Sequence, residues 1–368
     1  MFRVTRAEVR LGKIRDNMKQ IRCLFPDTVK LMAVVKADGY GHGDAEAARM
    51  AEQGGADALA VAYLNEALRL RAQGITLPIL ILTPIEPQEV PLAEEHELML
   101  TVTSGEWFRE MRRYRNASAA DKLKVHVKAD TGLGRIGLRS KEEWDELAPW
   151  LHADDIVVDG FFTHFATASN EDTTFLTRQR DRFAEMIEWV EHSGVAVNHY
   201  HCAGSAAALR FPELAMDMVR IGAAMFGFYP ERLVPSVKLE PALSLRSRLM
   251  QVKQLRKGEY IGYDNSYRAD GDEWIGTVPI GYADGWSQGL QGTQMLVNGK
   301  RATVVGKICM DQLMLRLPGP CEEGAEVTII GSQGDERITC AELARHIGTV
   351  PQEISASIAP RVSKVYKE

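Results

Sequence analysis

A chain of 368 residues exceeds what one small hydrophobic core supports and predicts two domains, or one barrel with an appendage. Its 45% hydrophobic and 26% charged content is that of an ordinary soluble globular protein, and a net charge of −6 without a basic block argues against a nucleic-acid partner. The first ten residues hold no long apolar stretch and the five scattered cysteines form no Cys-x-x-Cys. A secretory signal, a membrane anchor, a structural zinc and a disulfide framework are therefore unexpected, and the cytoplasm is the predicted compartment.

From Lys30 to about Gly227, short apolar runs alternate with amphipathic stretches. The runs are residues 31–36, 58–61, 79–82, 98–102, 123–128, 156–164, 197–201 and 218–222; helical patterns such as residues 65–73 and 178–192 lie between them. The basic cluster at residues 109–115 carries intervening apolar residues and reads as one solvated helix face. Eight β-α units predict an α/β fold, a parallel (β/α)8 TIM barrel; a doubly wound open sheet suits eight units in about 200 residues less well. Pro230, Pro235 and Pro241 then mark a linker. Beyond it, strand-like runs at 244–255, 274–280, 294–297, 302–308, 312–317 and 325–330, the hairpin signal Asn298-Gly299 and one amphipathic helix near 340–347 predict a mostly β domain. The expected limits are 1–235 and 236–368, the first residues being candidates to pair with the second domain.

The chemistry gathers at the predicted strand ends. Lys36 closes the first barrel strand, in Lys36-Ala-Asp-Gly-Tyr40-Gly-His-Gly43. Burial there favours the neutral amine, and a neutral amine can attack an aldehyde to form a Schiff base, the attachment chemistry of pyridoxal 5′-phosphate (PLP). The alternative is a surface lysine at a strand end. Arg135 follows the fifth strand, His164 ends the sixth, His201-Cys-Ala-Gly-Ser205 the seventh and Arg220-Ile-Gly-Ala223 the eighth. All fall on the face where barrels carry their active sites. Ser205 and the amides of Gly204, Gly222 and Ala223 are suited to cradle a phosphate, within reach of Tyr40, although Gly222 alone reads equally as a barrel turn. His164, His199 and His201 invite a metal, but no carboxylate spacing accompanies them, and no metal is expected.

These segments carry a family resemblance. Val34-Val-Lys36-Ala-Asp-Gly-Tyr40-Gly-His-Gly43 resembles the PLP-lysine segment of bacterial alanine racemases. The likeness continues through Thr131-Gly-Leu-Gly-Arg135, His164-Phe-Ala-Thr167, Met218-Val-Arg220-Ile-Gly222, Gly281-Tyr-Ala-Asp-Gly-Trp286 and Cys309-Met-Asp311-Gln312. It implies a homodimer of chains with an N-terminal barrel and a C-terminal β domain, interconverting L- and D-alanine by two bases and supplying D-alanine for peptidoglycan. By position, Lys36 would hold PLP and serve one face of the substrate, and Tyr263 of the partner subunit the other. Arg135 and the backbone of Met310, the latter also from the partner subunit, match substrate-carboxylate contacts. Tyr40, Ser205, Gly222 and Ala223 match phosphate contacts, and His164 a residue beside the pyridine ring. Arg220 matches the partner of the pyridine nitrogen. The resemblance also suggests a carbamylated Lys128, whose negative charge would face Arg135; a solvent-directed Lys128 is the alternative.

An arginine at the pyridine nitrogen donates a hydrogen bond without giving up its proton, so the ring would be a weak electron sink. That suits racemisation over transamination and disfavours a PLP decarboxylase; the alternative for Arg220 is a surface carboxylate. A racemase of serine or another small amino acid is the near rival, since one extra oxygen is hard to exclude on size. A non-catalytic PLP-binding regulator would need neither Tyr263 nor a β domain. Two positions depart from the family pattern: Gly204 stands where the phosphate turn commonly has Asn, and Pro360 where a phosphate-reaching tyrosine is common.

Overall fold

The structure is a computed structural model that describes residues 3–115, 122–229 and 237–368. It divides into two compact units: one of residues Lys13–Gly39 and Asp44–Glu240, the other of Met1–Gly12, Tyr40–Gly43 and Pro241–Glu368. The strand β1 (Arg6–Arg10) belongs to the second unit. The expected linker prolines Pro230 and Pro235 lie outside the described residues.

The first unit is the barrel. β2 (Lys30–Val34), β3 (Ala58–Val61), β4 (Ile79–Ile81), β5 (Leu98–Val102), β6 (Leu123–Lys128), β7 (Ile156–Phe162), β8 (Val197–His201) and β9 (Met218–Ile221) form one parallel sheet in the order β8-β7-β6-β5-β4-β3-β2-β9. Its ends meet where the Asp217 amide donates to the Tyr200 carbonyl (3.2 Å) and the Arg220 amide to the Ala203 carbonyl (2.9 Å). Every residue of β3, β4 and β5 is buried, as expected when side chains fill the barrel and helices cover it. The helices follow from sequence. In Lys141–Leu151 the Ser140 hydroxyl accepts from the Glu143 amide while the Glu143 carboxylate accepts from the Ser140 amide, and Trp144, Leu147, Ala148 and Leu151 form the buried stripe. Thr174–Ser193 buries Leu176, Gln179, Phe183, Met186 and Val190 and stops at Gly194, whose φ of 72° is left-handed. The 109–115 cluster is not one solvated face. Its helix ends at Met111, and Arg115 is buried against Glu94 and Asp155.

The second unit is built on ten strands. β10 (Leu243–Arg248), β11 (Gln251–Leu255), β14 (Glu273–Val278), β15 (Gln294–Val297), β16 (Lys300–Val305), β17 (Leu313–Leu317), β18 (Glu326–Gln333) and β20 (Ser363–Lys367) join β1 in the order β11-β14-β17-β16-β15-β18-β10-β1-β20, with β19 (Glu336–Ile338) paired to β18. β12 (Tyr260–Ile261) and β13 (Tyr267–Arg268) form a separate hairpin. The single run expected over 244–255 is two strands. It breaks at Leu249 and Met250, whose amides go to Ala325 and Thr277, so the chain leaves β18 and joins β14. Asn298 and Gly299, with φ of 50° and 74°, form the two-residue turn between β15 and β16. The helix Cys340–Ile347 is present. Among the described residues no helix is long and apolar enough to cross a membrane.

Candidate active site

Lys36 does not end a strand. The ladder of β2 stops at Val34, and Ala37, Asp38, Gly39 and Tyr40 then take φ of 52°, 53°, 60° and 54°. A left-handed residue with a Cβ costs about 1–2 kcal/mol, and three of these four carry one. Hydrogen bonds from elsewhere hold the turn. The Glu66 carboxylate accepts from the Ala37 amide (2.7 Å) with one oxygen and from the Ala62 and Tyr63 amides (2.7 and 3.2 Å) with the other. The Val35 carbonyl accepts from the Gly39 amide (2.9 Å). Burial lowers the Lys36 amine below the usual lysine range and Arg135 lowers it further, against Glu66.

Arg220 is buried and its guanidinium is surrounded by acceptors. Nη1 donates to Nδ1 of His201 (2.7 Å) and to its carbonyl (3.3 Å); Nη2 donates to the Thr163 carbonyl (2.7 Å), Nδ1 of His164 (3.1 Å) and the Cys202 carbonyl (3.2 Å). A surface carboxylate is thus not its partner. Burial brings its pKa down to about 10, which leaves it protonated at neutral pH. Burial and Arg220 together hold His164 well below the ordinary histidine value, so its ring is neutral. Because arginine only donates, Nδ1 of His164 carries the lone pair and Nε2 the hydrogen.

Lys128 is buried, not solvent-directed, with Nζ 4.4 Å from the centre of the Phe162 ring. Burial, Arg220 and Arg135 hold its amine far below the usual range. Arg135, by contrast, is exposed at the end of its glycine-rich loop. Asp130 shapes that loop, accepting from the amides of Gly132 (3.0 Å) and Gly134 (2.9 Å). Gln179 ties it to the loop after β7: Nε2 donates to Thr131 Oγ1 (3.3 Å) and to the His164 carbonyl (3.2 Å), and Oε1 accepts from the Ala166 amide (2.8 Å). Glu66, Asp130 and Gln179 were not singled out from sequence. The signals were there: a glutamate three residues after a helix start, and one polar residue on an apolar helical stripe.

Ser205, Gly222 and Ala223 come together after β8 and β9. The Ser205 hydroxyl oxygen accepts from the amides of Gly222 (3.0 Å) and Ala224 (3.3 Å), which leaves its own hydrogen to donate outward.

In the second unit Tyr263 lies at the tip of the β12–β13 hairpin, beside Asp264 and Asn265 with φ of 55° and 50°, and is 67% exposed. Leu255, Ile261, Ala269, Ile275, Val305 and Met314 form a buried cluster at the base of this hairpin with Tyr267 packed against it, and Lys307 clamps the tip through Asp264 (2.6 Å). Met310 is also exposed, in a turn closed by the Cys309 amide on the Gln312 carbonyl (2.9 Å). Its carbonyl accepts from the Ala283 amide (3.0 Å), an approach that requires Gly281, where a Cβ would stand 2.4 Å from that oxygen. Burial of the Tyr40 hydroxyl pushes its pKa up to about 12.

The donors of the barrel unit fit an anionic, phosphorylated aldehyde. Lys36 is a depressed amine, Lys128, Arg135 and Arg220 are near enough to lower one another or their neighbours, and Ser205 presents a hydroxyl hydrogen.

Two family models match the chain: alanine racemase, N-terminal domain, over residues 9–230, and alanine racemase, C-terminal domain, over residues 242–366. An alanine racemase of Geobacillus kaustophilus is 44% identical over 99% of this chain and 94% of its own length. The crystal structure of alanine racemase from Bacillus anthracis is similar with a TM-score of 0.96 at 42% identity, covering 100% of this chain and 96% of that one. A histidine racemase from Leuconostoc mesenteroides is similar with a TM-score of 0.88 at 30% identity, over 100% of this chain and 99% of that one. A TIM barrel followed by a β domain, matched end to end by such relatives, defines an amino-acid racemase, an isomerase. Within that class the chain belongs to the alanine racemase family.

Proposed function

We propose that Lys36 and Tyr263 are the two proton-transfer groups with which this racemase interconverts L- and D-alanine, and that PLP is held on Lys36. The observation that carries the reading is the Lys36 amine itself, kept below its ordinary pKa by burial and by Arg135 on a left-handed turn built to place it. Bound there, PLP would supply the electron-withdrawing ring that makes the alanine Cα–H acidic.

The rest falls to the chain. The Lys36 amine removes or returns the Cα proton on one face, and Tyr263 of the partner subunit does so on the other. The exposure of Tyr263 and Met310 in one chain supports a homodimer in which a second copy receives them. His164, neutral with its hydrogen on Nε2, is a donor suited to favour the phenolate of Tyr263 of the partner subunit. Arg135 and the Met310 amide of the partner subunit bind the alanine carboxylate. Arg220 would donate to the pyridine nitrogen without protonating it, and Ser205, Gly222, Ala223 and Tyr40 would hold the phosphate. Lys128, a buried neutral amine, adds to carbon dioxide, losing a proton to leave a carbamate anion that balances Arg135.

We assign the barrel to residues 1–235 and the β domain to 236–368, with β1 contributed to the latter. The enzyme works in the cytoplasm, feeding D-alanine to peptidoglycan synthesis.

Cα-deuterated alanine of each hand tests the two-base reading in Tyr263→Phe. Lys36 remains on its own face, so exchange from D-alanine persists. Exchange from L-alanine and net racemisation fall by about 10²–10⁴-fold. Near-parental exchange and racemisation of both hands would replace it with a single-base mechanism.

A further inference from the structure

Three histidines in the sequence invited a metal, and the structure gives His201 another occupation. His201 on β8 and His126 on β6 are both fully buried, with β7 between their strands. Yet Nε2 of His201 lies 3.0 Å from Nδ1 of His126. The rings meet over Gly160, the β7 residue in register with His126: a Cβ at Gly160 would stand 2.1 Å from His126 Nδ1. Phe162, two residues on, stacks on His201 at 4.8 Å and 2°.

The residue before Gly160 completes the line. Val125 pairs with Val158 and His126 with Gly160, so Asp159 is a bulge with no opposite number on β6. Bulges re-aim side chains, and here the Asp159 carboxylate reaches His126, with Oδ2 3.3 Å from Nε2. Its other oxygen accepts from Asn198 (2.9 Å), and its carbonyl meets Nδ1 of His199 (3.0 Å). Nε2 of His126 has no other partner among the described residues, and its nearness is the main cause holding Asp159 below the carboxylate range.

The ends of this line fix every proton in it. Arg220 can only donate, so Nδ1 of His201 accepts and its hydrogen sits on Nε2. That hydrogen points to Nδ1 of His126, which therefore accepts and carries its own hydrogen on Nε2, toward a carboxylate that can only accept. Reversing either ring sets donor against donor.

We propose that Asp159, His126 and His201 form a positioning relay, in which a bulged carboxylate sets the tautomers of two buried imidazoles and so holds the Arg220 guanidinium in place. This rests on the reading of Arg220 as the partner of the pyridine nitrogen. Asp159, His126 and His201 touch neither substrate nor cofactor; they act through Arg220.

The test uses holoenzyme with 15N-labelled histidine. His126 and His201 should both show the neutral Nε2–H pattern, with a downfield proton on His126. Asp159→Asn keeps size and removes charge: the His126 proton moves upfield, and kcat falls about tenfold with KM for alanine within about twofold. Should that variant misfold, His126→Gln gives His201 a new acceptor and must shift its Nε2 signal. Either ring as Nδ1–H or imidazolium in the parent, or a His126 proton indifferent to Asp159→Asn, overturns the relay. An unchanged absorption spectrum of bound cofactor in Arg220→Lys would instead overturn the pyridine assignment, with the tautomer result left standing.

Discussion

Gly204 makes room for His164: a Cβ added to Gly204 would stand 2.8 Å from Cε1 of the imidazole. The backbone there is extended, with φ −89° and ψ −177°, a conformation open to any residue. Glycine is therefore needed for space. This gives a steric reason for the position where the family turn commonly has Asn.

Gly204→Ala should accordingly push His164 off Arg220 and cost about 1–3 kcal/mol of stability by overpacking. Thermal melts would show the loss, and kcat should drop about tenfold as the His164–Arg220 contact opens. An alanine variant with parental melting and turnover would show that the imidazole can sit elsewhere.

Lys128 predicts a stability that depends on pH. Folding keeps its amine neutral, whereas the unfolded chain protonates it up to its ordinary value of 10.5. Between the depressed folded value and 10.5 the unfolded state binds more protons, so stability rises with pH across that window, by at most about 1.4 kcal/mol per unit. In carbon-dioxide-free buffer, the advantage of parent over Lys128→Met should grow from about pH 7.5 to about pH 9.5 in denaturant titrations. Adding 13C-bicarbonate should give the parent, but not the variant, a carbamate resonance. A flat difference would mean that the amine is charged in the folded protein.

The barrel was legible because each strand is a short apolar run flanked by amphipathic helices, and local pattern is enough to find such units. The strands β6 and β8, for instance, occupy the residues expected of them. What escaped depends on distant partners. Nothing local puts Ala37 and Asp38 in a left-handed turn; Glu66 braces it from the helix that follows β3. The parallel pairing of β1 with β20 joins the two ends of the chain, and the His126–His201 contact spans 75 positions. Lys36, Arg220 and Ser205 were readable as candidates from their place at or just past strand ends, but their hydrogen-bond partners were not.

Pro360 sits in a turn that suits it. The Val362 amide donates to the Ala359 carbonyl (2.9 Å), which puts Pro360 at the second position of a four-residue turn, where proline's fixed φ is preorganised. Pro360→Tyr should cost about 0.4–1 kcal/mol in urea unfolding. If residue 360 serves the phosphate, the new phenol should tighten PLP by about tenfold in equilibrium dialysis. Unchanged PLP affinity would place residue 360 away from the cofactor.

Subunit mixing is the most direct probe of the composite site. Lys36→Ala removes the amine from the barrel's own chain, and Tyr263→Phe removes the hydroxyl that the hairpin carries on its exposed tip. Each homodimer should be nearly inactive as a racemase. A heterodimer pairs a barrel that has Lys36 with a partner that has Tyr263, so one of its two sites is intact and the other lacks both groups. Random exchange of equal amounts makes about half the dimers mixed, each with one working site of two. Activity should therefore recover to about a quarter of the parent's, against the 10²–10⁴-fold losses of the separate variants. The recovered rate should follow the fraction of heterodimer, measured by native mass spectrometry. If verified heterodimers stayed as inactive as their parents, each chain would have to supply Lys36 and Tyr263 to the same site, and the assignment of Tyr263 to the partner subunit would fall.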